Sequence, residues 1–455
     1  MPNKFLNNRG NILLIAIVFG FISFSVVVVA VTSYAISENR ASVKKHNREM
    51  AFQIAEAGVN YYRWHLAHNK NDFTDSTTTP GPYIHVYEDK DGNVVGRYSL
   101  NIIIPVAGST VVTIESTGWL DVQPESKRTI RVRLGFPALT DYALLTAEDI
   151  WIGDNEATHG KLHANGGIRF DGTGDAPITS AVPTYICKAH HGCGNQEKPG
   201  IWGDGGPTNY WSFPVPSKSF VSITAKLKDV KDAAVPPNGL YLTSSGKQGW
   251  RISFQTDGTY KVYKVNTTDC YDGKDIGDNR YHTYCIDAKT FGDATTYTMS
   301  PTNSTFIYSE DNTWVDGTVN GRATVGVAIG KSIIINGNIL YAAKDGTSVL
   351  GLMAEQNVLL PYNSPNILEV DAALIAQNGA VKRYYYPGNK KDQLTIYGSI
   401  ISNGIWTWSW VSGGGAITSG YLESDTTYDA NLSYGPPPAF PVGSEYNLIS
   451  WELVD

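Results

Sequence analysis

The stretch NILLIAIVFGFISFSVVVVAVTSYAIS (residues 11–37) lies in an uncharged run of 28 residues between Arg9 and Glu38. As an α-helix, this run would be about 42 Å long, which is enough to cross a lipid bilayer. A cleaved secretory signal peptide has an apolar region of roughly 7 to 15 residues before a small-residue cleavage site. The apolar run here is longer, so the sequence predicts a membrane-spanning helix.

Helical periodicity continues beyond the apolar run. Apolar positions recur mainly at spacings of three and four, which places them on one side of a helix; they are Ala51, Ile54, Ala55, Gly58, Val59, Tyr62 and Leu66. We therefore expect one helix from about Asn11 to about His68, on the order of 87 Å long. Its first half suits lipid, and one stripe of its second half has to be covered by other parts of the chain.

Two motifs in this region resemble those of type IV prepilins, and more closely those of the PilX-type minor pilins. Residues 1–10 are polar and basic through Lys4 and Arg9 and end in Gly10, as in a class III leader peptide. The segment AFQIAEAG, residues 51–58, is similar to the family signature A-x-x-A-E-A-G, carried here by Ala51, Ala55, Glu56, Ala57 and Gly58, with three residues instead of two between the first two alanines. The resemblance implies that prepilin peptidase cuts between Gly10 and Asn11, and that the helix packs with other pilins of the assembly machinery.

Two positions depart from the family pattern. Pilins usually begin the mature chain with Phe and carry Glu at the fifth mature position, where this sequence has Asn11 and Ile15. In the family, that Glu is thought to neutralise the N-terminal amine of a neighbouring subunit, because an unpaired charge in lipid is costly. Without it, the chain is better suited to a tip or rare position. The alternative is a plain single-pass anchor on a surface protein.

The composition is typical of extracellular β-proteins. Charged residues make up 17% of the chain, which has 45 glycines, 27 tyrosines and 11 tryptophans, and such proteins use Gly in turns and aromatic residues on strands. A length of 455 residues predicts two or three structural units. The formal charge of −7 opposes a general nucleic-acid-binding role. A local basic patch stays open.

Four cysteines form two groups that are close in sequence, Cys187 with Cys193 and Cys270 with Cys285. Even, local spacing in a secreted context indicates disulfides, and neighbour pairing is favoured among the three connectivities. The body of the chain is therefore expected outside the cytoplasm. Four basic residues follow the apolar run and favour the opposite orientation by the positive-inside tendency; they are Arg40, Lys44, Lys45 and Arg48.

Residues 69–137 are predicted to form a pilin-like head. Strand signals lie at 83–87, 94–104, 110–116 and 129–134, and in the last of these Ile130, Val132 and Leu134 share one face. An antiparallel sheet of these strands would cover the exposed stripe of the helix. The predicted fold class is α+β, with a long N-terminal helix, a small antiparallel sheet and a mainly-β body.

Short apolar strands with Asn-Gly or Gly turns recur at about 20 to 25 residues in segments 138–180 and 321–455. This spacing favours stacked coils of a β-solenoid, with an irregular β-sandwich as the alternative. Residues 181–320 interrupt the pattern and are predicted to be an inserted α+β module that contains the disulfides. It includes a helix over 222–234 and a hairpin around Asp257 and Gly258. The flanking segments would then be spatial neighbours.

Three groups of residues are candidate sites in the body. The segment CKAHHGC, residues 187–193, carries ligand types that suit Zn²⁺, although a small disulfide loop is favoured. Asp272, Asp275 and Asp278 could offer carboxylates to Ca²⁺, with solvated turn residues as the favoured alternative. Trp406, Trp408 and Trp410 alternate, so on a strand they share one face, either an exposed binding face or core.

No catalytic motif is present in the sequence. It has no G-x-S-x-G elbow, H-E-x-x-H helix, Walker loop or dinucleotide fingerprint. We expect neither an enzyme nor a cofactor. A surface glycan hydrolase stays open as an alternative, because distant carboxylate pairs leave no local signature.

These observations predict a minor pilin that is anchored in the cytoplasmic membrane before assembly. Its body would serve adhesion, assembly or DNA uptake at the pilus tip or surface, with an unknown surface ligand. The alternative is a single-pass membrane-anchored adhesin or glycan-binding protein that never joins a filament. The partners expected for the minor pilin are prepilin peptidase, other pilins with the pilus assembly machinery, membrane lipid and an unknown surface ligand.

Overall fold

The structure is a computed structural model that describes residues 9–106, 108–300, 304–412, 415–443 and 445–454, without the side chains of 9–11 and 221–225. The chain divides into two compact units. We call the first, Met1–Ile104 with Val112–Leu134 and Leu448–Asp455, the head. The second, Pro105–Val111 with Gly135–Asn447, is the body.

A single helix, α1, runs from Arg9 to His68. Its interior contains no proline, so the backbone hydrogen bonds continue from the apolar run into the amphipathic part. His65 and His68 stand in the last turn, where a basic side chain suits the negative end of the helix dipole. The predicted long helix followed by a mainly-β body is confirmed.

The head contains an antiparallel sheet with neighbouring strands in chain order. Its first four strands are β1 (Tyr83–Glu88), β2 (Val94–Ile103), β3 (Val112–Leu120) and β4 (Gln123–Gly135). In β4, Ile130, Val132 and Leu134 are buried as their alternation predicts, and α1 contacts the sheet through β2 and β3. The sheet thus supplies the cover that the stripe of α1 requires.

The body consists mainly of short strands with one longer helix, α2 (Val221–Ala233). Its strands up to that helix are β5 (Leu144–Thr146), β6 (Ile150–Ile152), β7 (Glu156–His159), β8 (Leu162–Ala164), β9 (Ile168–Phe170), β10 (Thr173–Gly174), β11 (Ile178–Ser180), β12 (Thr184–Cys187), β13 (Gln196–Pro199), β14 (Ile201–Trp202) and β15 (Trp211–Ser212). Short 3₁₀ helices are Ala189–His191, Thr208–Tyr210 and Ala430–Ser433.

The strands after α2 are longer on average. They are β16 (Leu240–Leu242), β17 (Gly249–Phe254), β18 (Thr259–Lys274), β19 (Tyr281–Phe291), β20 (Thr295–Thr298), β21 (Thr305–Ser309), β22 (Thr313–Val319), β23 (Arg322–Val327), β24 (Ile333–Tyr341), β25 (Val349–Ala354), β26 (Val358–Leu360), β27 (Ile367–Ala376), β28 (Val381–Arg383), β29 (Lys390–Ser402), β30 (Ser409–Val411) and β31 (Ile417–Tyr428).

Parallel pairing between alternate strands organises the body. β21, β23, β25, β27 and β29 form one parallel ladder, and β29 continues it through β5 and β8 to β11. The register stacks one buried apolar residue from each strand on the next: Ile307, Val325, Leu352, Leu374, Ile400, Leu144, Leu162 and Ile178. Segments 138–180 and 321–455 are therefore neighbours through β5 and β29.

The predicted insertion at 181–320 is too wide. Strands β16 and β17 lie within it, yet they pair in parallel with β21 and β22, so that Leu240 stands beside Ile307 and Ile252 beside Val315. These residues belong to the same buried core or pack against it. Four antiparallel pairings in this range, β12–β13, β17–β18, β18–β19 and β18–β20, depart from the parallel pattern and hide it in the sequence.

The C-terminal strand corrects a second boundary. Strand β32 (Asn447–Val454) lies beside β4 at the edge of the head sheet, not in the body to which 321–455 was assigned. The ring of Trp451 contacts Phe52 of α1 at 5.7 Å between centroids, and Arg131 of β4 pairs with Glu452 at 3.5 Å. These contacts show that the chain returns to the head after completing the body.

Candidate functional site

The first half of α1 is apolar and uncovered. Large side chains from Ile12 to Ile36 are exposed in the chain, with Phe19 at 71% and Phe21 at 73%. Among the described residues, α1 is the one helix long and apolar enough to cross a membrane. In water, this much exposed apolar area would be costly. A bilayer, or a bundle of similar helices, is the environment that it fits.

The second half of α1 is locked onto the head sheet by small residues. All seven stripe residues are buried, from Ala51 to Leu66. A Cβ at Gly58 would lie 2.3 Å from Ser116 Oγ, and one at Gly118 of β3 would lie 2.4 Å from the carbonyl oxygen of Ala51. The helix and the strand therefore approach more closely than larger residues would allow.

This packing gives the pilin-like motif a physical role. Ala51, Ala55 and Gly58 are buried, Ala57 is half-buried and Glu56 is exposed. The alanines and the glycine are thus the close-contact residues. Glu56 keeps its carboxylate in solvent, where it is free of helix packing.

A polar cluster that we did not predict from the sequence anchors the end of α1. Asp75 accepts a hydrogen bond from Tyr61 Oη at 3.0 Å and pairs with His85 Nε2 at 2.7 Å. Asp72 pairs with His65 Nε2 at 3.0 Å. Although burial opposes ionisation, hydrogen bonds from Thr74 and Ser76 hold the pKa of Asp72 well below its usual range. Two aspartates in a loop that reads as a linker gave no signal of this role.

The predicted processing site stands at the limit of the described chain. Residues 1–8 lie outside the described residues, and Gly10 and Asn11 belong to α1 without described side chains. Cleavage between Gly10 and Asn11 stays a prediction.

Both cysteine pairs are disulfides between sequence neighbours, Cys187–Cys193 and Cys270–Cys285. The first pair removes the thiolates that a Zn²⁺ site at residues 187–193 would need. His191 is 3% exposed in the chain, and burial lowers its pKa to about 3. Its neutral imidazole contributes to a small closed loop, not to a metal site.

The three loop aspartates have separate partners. Asp275 pairs with Lys382 Nζ at 2.6 Å, Asp278 with His282 Nε2 at 2.7 Å, and Asp272 accepts from Thr283 Oγ1 at 2.6 Å. Within the described part of the chain, no group of three or more His, Cys, Asp or Glu side chains could hold a metal ion. The aspartates stabilise the β18–β19 hairpin and its contact with β28 instead.

Of the two alternatives for Trp406, Trp408 and Trp410, an exposed binding face or core, the structure has Trp406 and Trp408 in the core. Trp406 and Trp408 are 6% and 1% exposed and belong to the body core, with ring centroids 5.7 Å apart. Trp410 lies in β30 and donates from Nε1 to the carbonyl oxygen of Arg383 at 3.1 Å. Burying the two indoles of Trp406 and Trp408 removes a large apolar area from water.

A different row of aromatic residues lies on the outside of β6, β9 and β14. The parallel register places Trp151 beside Arg169, and Arg169 beside Trp202. The Arg169 guanidinium lies 4.2 Å from the Trp151 ring centroid and 5.2 Å from that of Trp202. Asp171 accepts from Trp151 Nε1 at 2.8 Å and pairs with Arg169 Nε at 2.7 Å. This row supports the 187–193 loop, because Arg169 also donates to the carbonyl oxygen of His191.

The body has a cavity of about 920 Å³ lined by Asp257, Asp345 and Arg322 among other residues. Hydrogen bonds from Thr259 and Thr347 lower the pKa of the two aspartates. Neither carboxyl is therefore prepared to donate a proton near neutral pH, as glycoside hydrolysis requires.

Arg322 holds the loops around the cavity together. Its guanidinium donates to the carbonyl oxygens of Gly108, Gly346, Gly435 and Pro436 at 2.6 to 3.0 Å. The four acceptors lie in three separate segments of the body, at residues 108, 346 and 435–436, so Arg322 links these segments through its two terminal nitrogens.

Comparisons with known proteins give little further guidance. No family model matches the chain, and no curated protein matches it. Among solved structures, the competence-associated pilin ComZ from Thermus thermophilus aligns at 13% identity over 90% of this chain and 98% of that chain, with a TM-score of 0.30. A TM-score this low carries no weight for function.

Proposed function

We propose that the chain is a minor subunit of a type IV pilus, anchored in the cytoplasmic membrane by α1 before assembly. The observation that supports this proposal is the division of one helix into two parts. Its first half is apolar and uncovered, and its second half is locked onto a sheet through Ala51, Ala55 and Gly58. Such a helix can pass from lipid into a bundle of similar helices while it carries the head with it.

The proposed orientation places head and body outside the cytoplasm. Two disulfides support it, because disulfides persist in oxidising compartments and are rare in the cytosol. The basic residues after the apolar run favour the opposite orientation. We give the disulfides more weight, because two of them in one unit require an oxidising environment.

The proposed partners are prepilin peptidase, other pilins with their assembly machinery, and membrane lipid. Prepilin peptidase would remove residues 1–10. Ile15 stands where pilins usually carry Glu, so the chain has no carboxylate at that position to neutralise a neighbour's N-terminal amine. This supports a tip or rare position in the filament.

The body would be the displayed module, and its role would be non-catalytic. Its parallel ladders and stacked apolar residues are what coils of a β-solenoid require, and we propose that architecture for it. Adhesion, assembly or DNA uptake are the proposed roles at the pilus tip or surface. The lowered pKa values of the cavity aspartates oppose acid catalysis there.

The mature N-terminus tests this function. Mass spectrometry of the chain purified from membranes should find a chain that begins at Asn11. Substitution Gly10→Val should leave residues 1–10 attached. The matched control is Gly20→Val, where a Cβ meets nothing within 4 Å, and it should be processed normally.

Immunogold labelling tests pilus incorporation in the same strains. Label on sheared pili is expected for the wild-type chain and Gly20→Val, and not for Gly10→Val. An unprocessed wild-type chain with label confined to the envelope would overturn the proposal in favour of a membrane-anchored surface protein.

A further inference from the structure

Four basic residues lie on α1 between its apolar run and the stripe that begins at Ala51. They are Arg40, Lys44, Lys45 and Arg48. All four side chains are exposed, and none of them belongs to the ion pairs found among the described residues. Lys and Arg beside a membrane helix are usually in excess on its cytoplasmic side. In the proposed orientation these four residues lie on the opposite side, so their presence there needs an explanation.

Three of these residues point in the same direction as the stripe that packs on the head. Eighteen residues make five complete helical turns, so residues 18 apart project on the same side. The pairs that share a direction are Arg40 with Gly58, Lys44 with Tyr62, and Arg48 with Leu66. We call Arg40, Lys44 and Arg48 the basic row.

The charge of the basic row is not balanced on its own side of the helix. Lys45 projects about 100° away from Lys44. Both nearby carboxylates lie on the side of Lys45, since Glu49 follows it by four residues and Glu38 precedes it by seven. Lys45 therefore has acidic neighbours, whereas the basic row has none.

The basic row begins in the headgroup layer and extends beyond it. With a rise of 1.5 Å per residue, Arg40 lies about 5 Å, Lys44 about 10 Å and Arg48 about 16 Å beyond Ser37, where the uncharged run ends. The interfacial layer on each side of a bilayer is about 5–8 Å thick. Arg40 therefore lies in this layer, and the long side chain of Lys44 can reach back to it. Arg48 lies about 10 Å beyond the layer, where the charge of an anionic surface still acts, and next to Asn47, whose side chain donates to Gln123 of the head sheet.

We propose that Arg40 and Lys44 bind the phosphate groups of anionic phospholipids on the membrane side that bears the body, and that the charge of Arg48 adds longer-range attraction to the same surface. The proposal rests on the membrane-anchored state of the proposed function. Charge complementarity and axial position select lipid phosphates, because they form the layer that this segment crosses. The bound headgroups would set the depth of α1 and would have to be released when the subunit leaves the membrane.

Native mass spectrometry of the full chain in detergent micelles tests this site. The probes are phosphatidylglycerol and phosphatidylcholine, which share acyl chains and differ in headgroup charge. We expect preferential retention of phosphatidylglycerol. Because each basic residue near an anionic surface strengthens binding about fivefold, Lys44→Gln should weaken it by about that factor. Joint replacement of Arg40, Lys44 and Arg48 by Gln should remove the preference.

Lys45→Gln is the matched control, since it removes the same charge from the next residue, which projects about 100° away from the basic row. It should change retention of phosphatidylglycerol little. Hydrogen exchange over residues 51–66 should stay at the wild-type rate in all variants, which would exclude misfolding as the cause of a loss.

Three results would overturn the proposal. These are equal effects of Lys44→Gln and Lys45→Gln, equal retention of the two lipids, and displacement of the lipid by inorganic phosphate, which would mark a site for the free anion. If the variants bind lipid normally but are missing from pili, the basic row contacts a neighbouring subunit and not lipid. An unprocessed chain that still shows the Lys44-dependent preference would refute the pilus function and leave this site intact.

Discussion

The close backbone contact of Gly118 with α1 can be tested with one methyl group. In Gly118→Ala, the new Cβ would lie 2.4 Å from the carbonyl oxygen of Ala51 and 2.4 Å from the amide nitrogen of Ala55. Ordinary van der Waals contact begins at 3.4 Å. Since both atoms belong to the helix backbone, no side chain can rotate away, and helix and strand must separate by about 1 Å.

Overpacking of this kind costs about 1–3 kcal/mol. We therefore expect backbone amides in residues 51–66 to exchange about 5- to 150-fold faster than in the wild-type chain, because each 1.4 kcal/mol is about a tenfold change. The measurement is hydrogen exchange with mass spectrometry on the full chain in detergent micelles. Peptides from the body should keep their wild-type rates.

Gly337→Ala is the matched control. Gly337 also lies within a strand, β24, but the nearest atom to its added Cβ would be Asp316 Cβ at 3.8 Å, an ordinary contact. Its effect should be small everywhere in the chain. Wild-type exchange in Gly118→Ala, or equal loosening of residues 51–66 in the control, would refute the claim that close helix–sheet packing holds the head on α1.

Three further predictions concern other parts of the chain. Burial raises the pKa of Glu156 from 4.5 to about 7. The stability that protonated Glu156 contributes is therefore full below about pH 4.5 and is lost as the pH rises through about 7. In urea denaturation, Glu156→Gln should be more stable than the wild-type chain by about 3 kcal/mol at pH 8, and should show no such gain at pH 4. Arg322→Met leaves four carbonyl oxygens without their donor and should destabilise the body by about 1–3 kcal/mol. Hydrogen exchange over residues 345–347 should be faster than in the wild-type chain, and unchanged exchange would contradict the role of Arg322 in holding these loops. Deletion of residues 447–455 should speed exchange in β4 while body peptides keep their rates; unchanged β4 exchange would contradict its pairing with β32.

The sequence predicted those features of the fold that depend on local periodicity. The stripe from Ala51 to Leu66 repeats at helical spacing, and the structure buries each of its members. Strand alternation around Val132 likewise predicted the buried face of β4. In both segments, neighbouring residues alone determine which side is apolar, so no knowledge of distant partners is needed.

Features that depend on distant partners could not be predicted. Residues 447–454 read equally well as a strand of either unit, and pairing with β4 leaves no local signal. The tryptophans of 406–410 were assigned to one side, but alternation does not say whether that side faces solvent or core. For the same reason, the pairing of β16 with β21 was missed, because the two strands are separated by a long hairpin.

The polar groups of the candidate site show a similar division. The small residues of the pilin-like motif were recognised because they fall within one short segment of α1. Asp75, by contrast, depends on contacts with Tyr61 and His85, which lie on different elements. A loop aspartate acquires such a role only when the fold brings its partners together, so its identity alone carries little information.

The late position of β32 has a consequence for biogenesis. A chain made from its N-terminus delivers β4 more than 300 residues before the strand that pairs with it. Until translation finishes, the β4 edge offers unpaired backbone groups, which are a template for aggregation. Nascent chains would therefore need a chaperone or rapid closure at this edge, and truncated products would expose the same open strand to proteases.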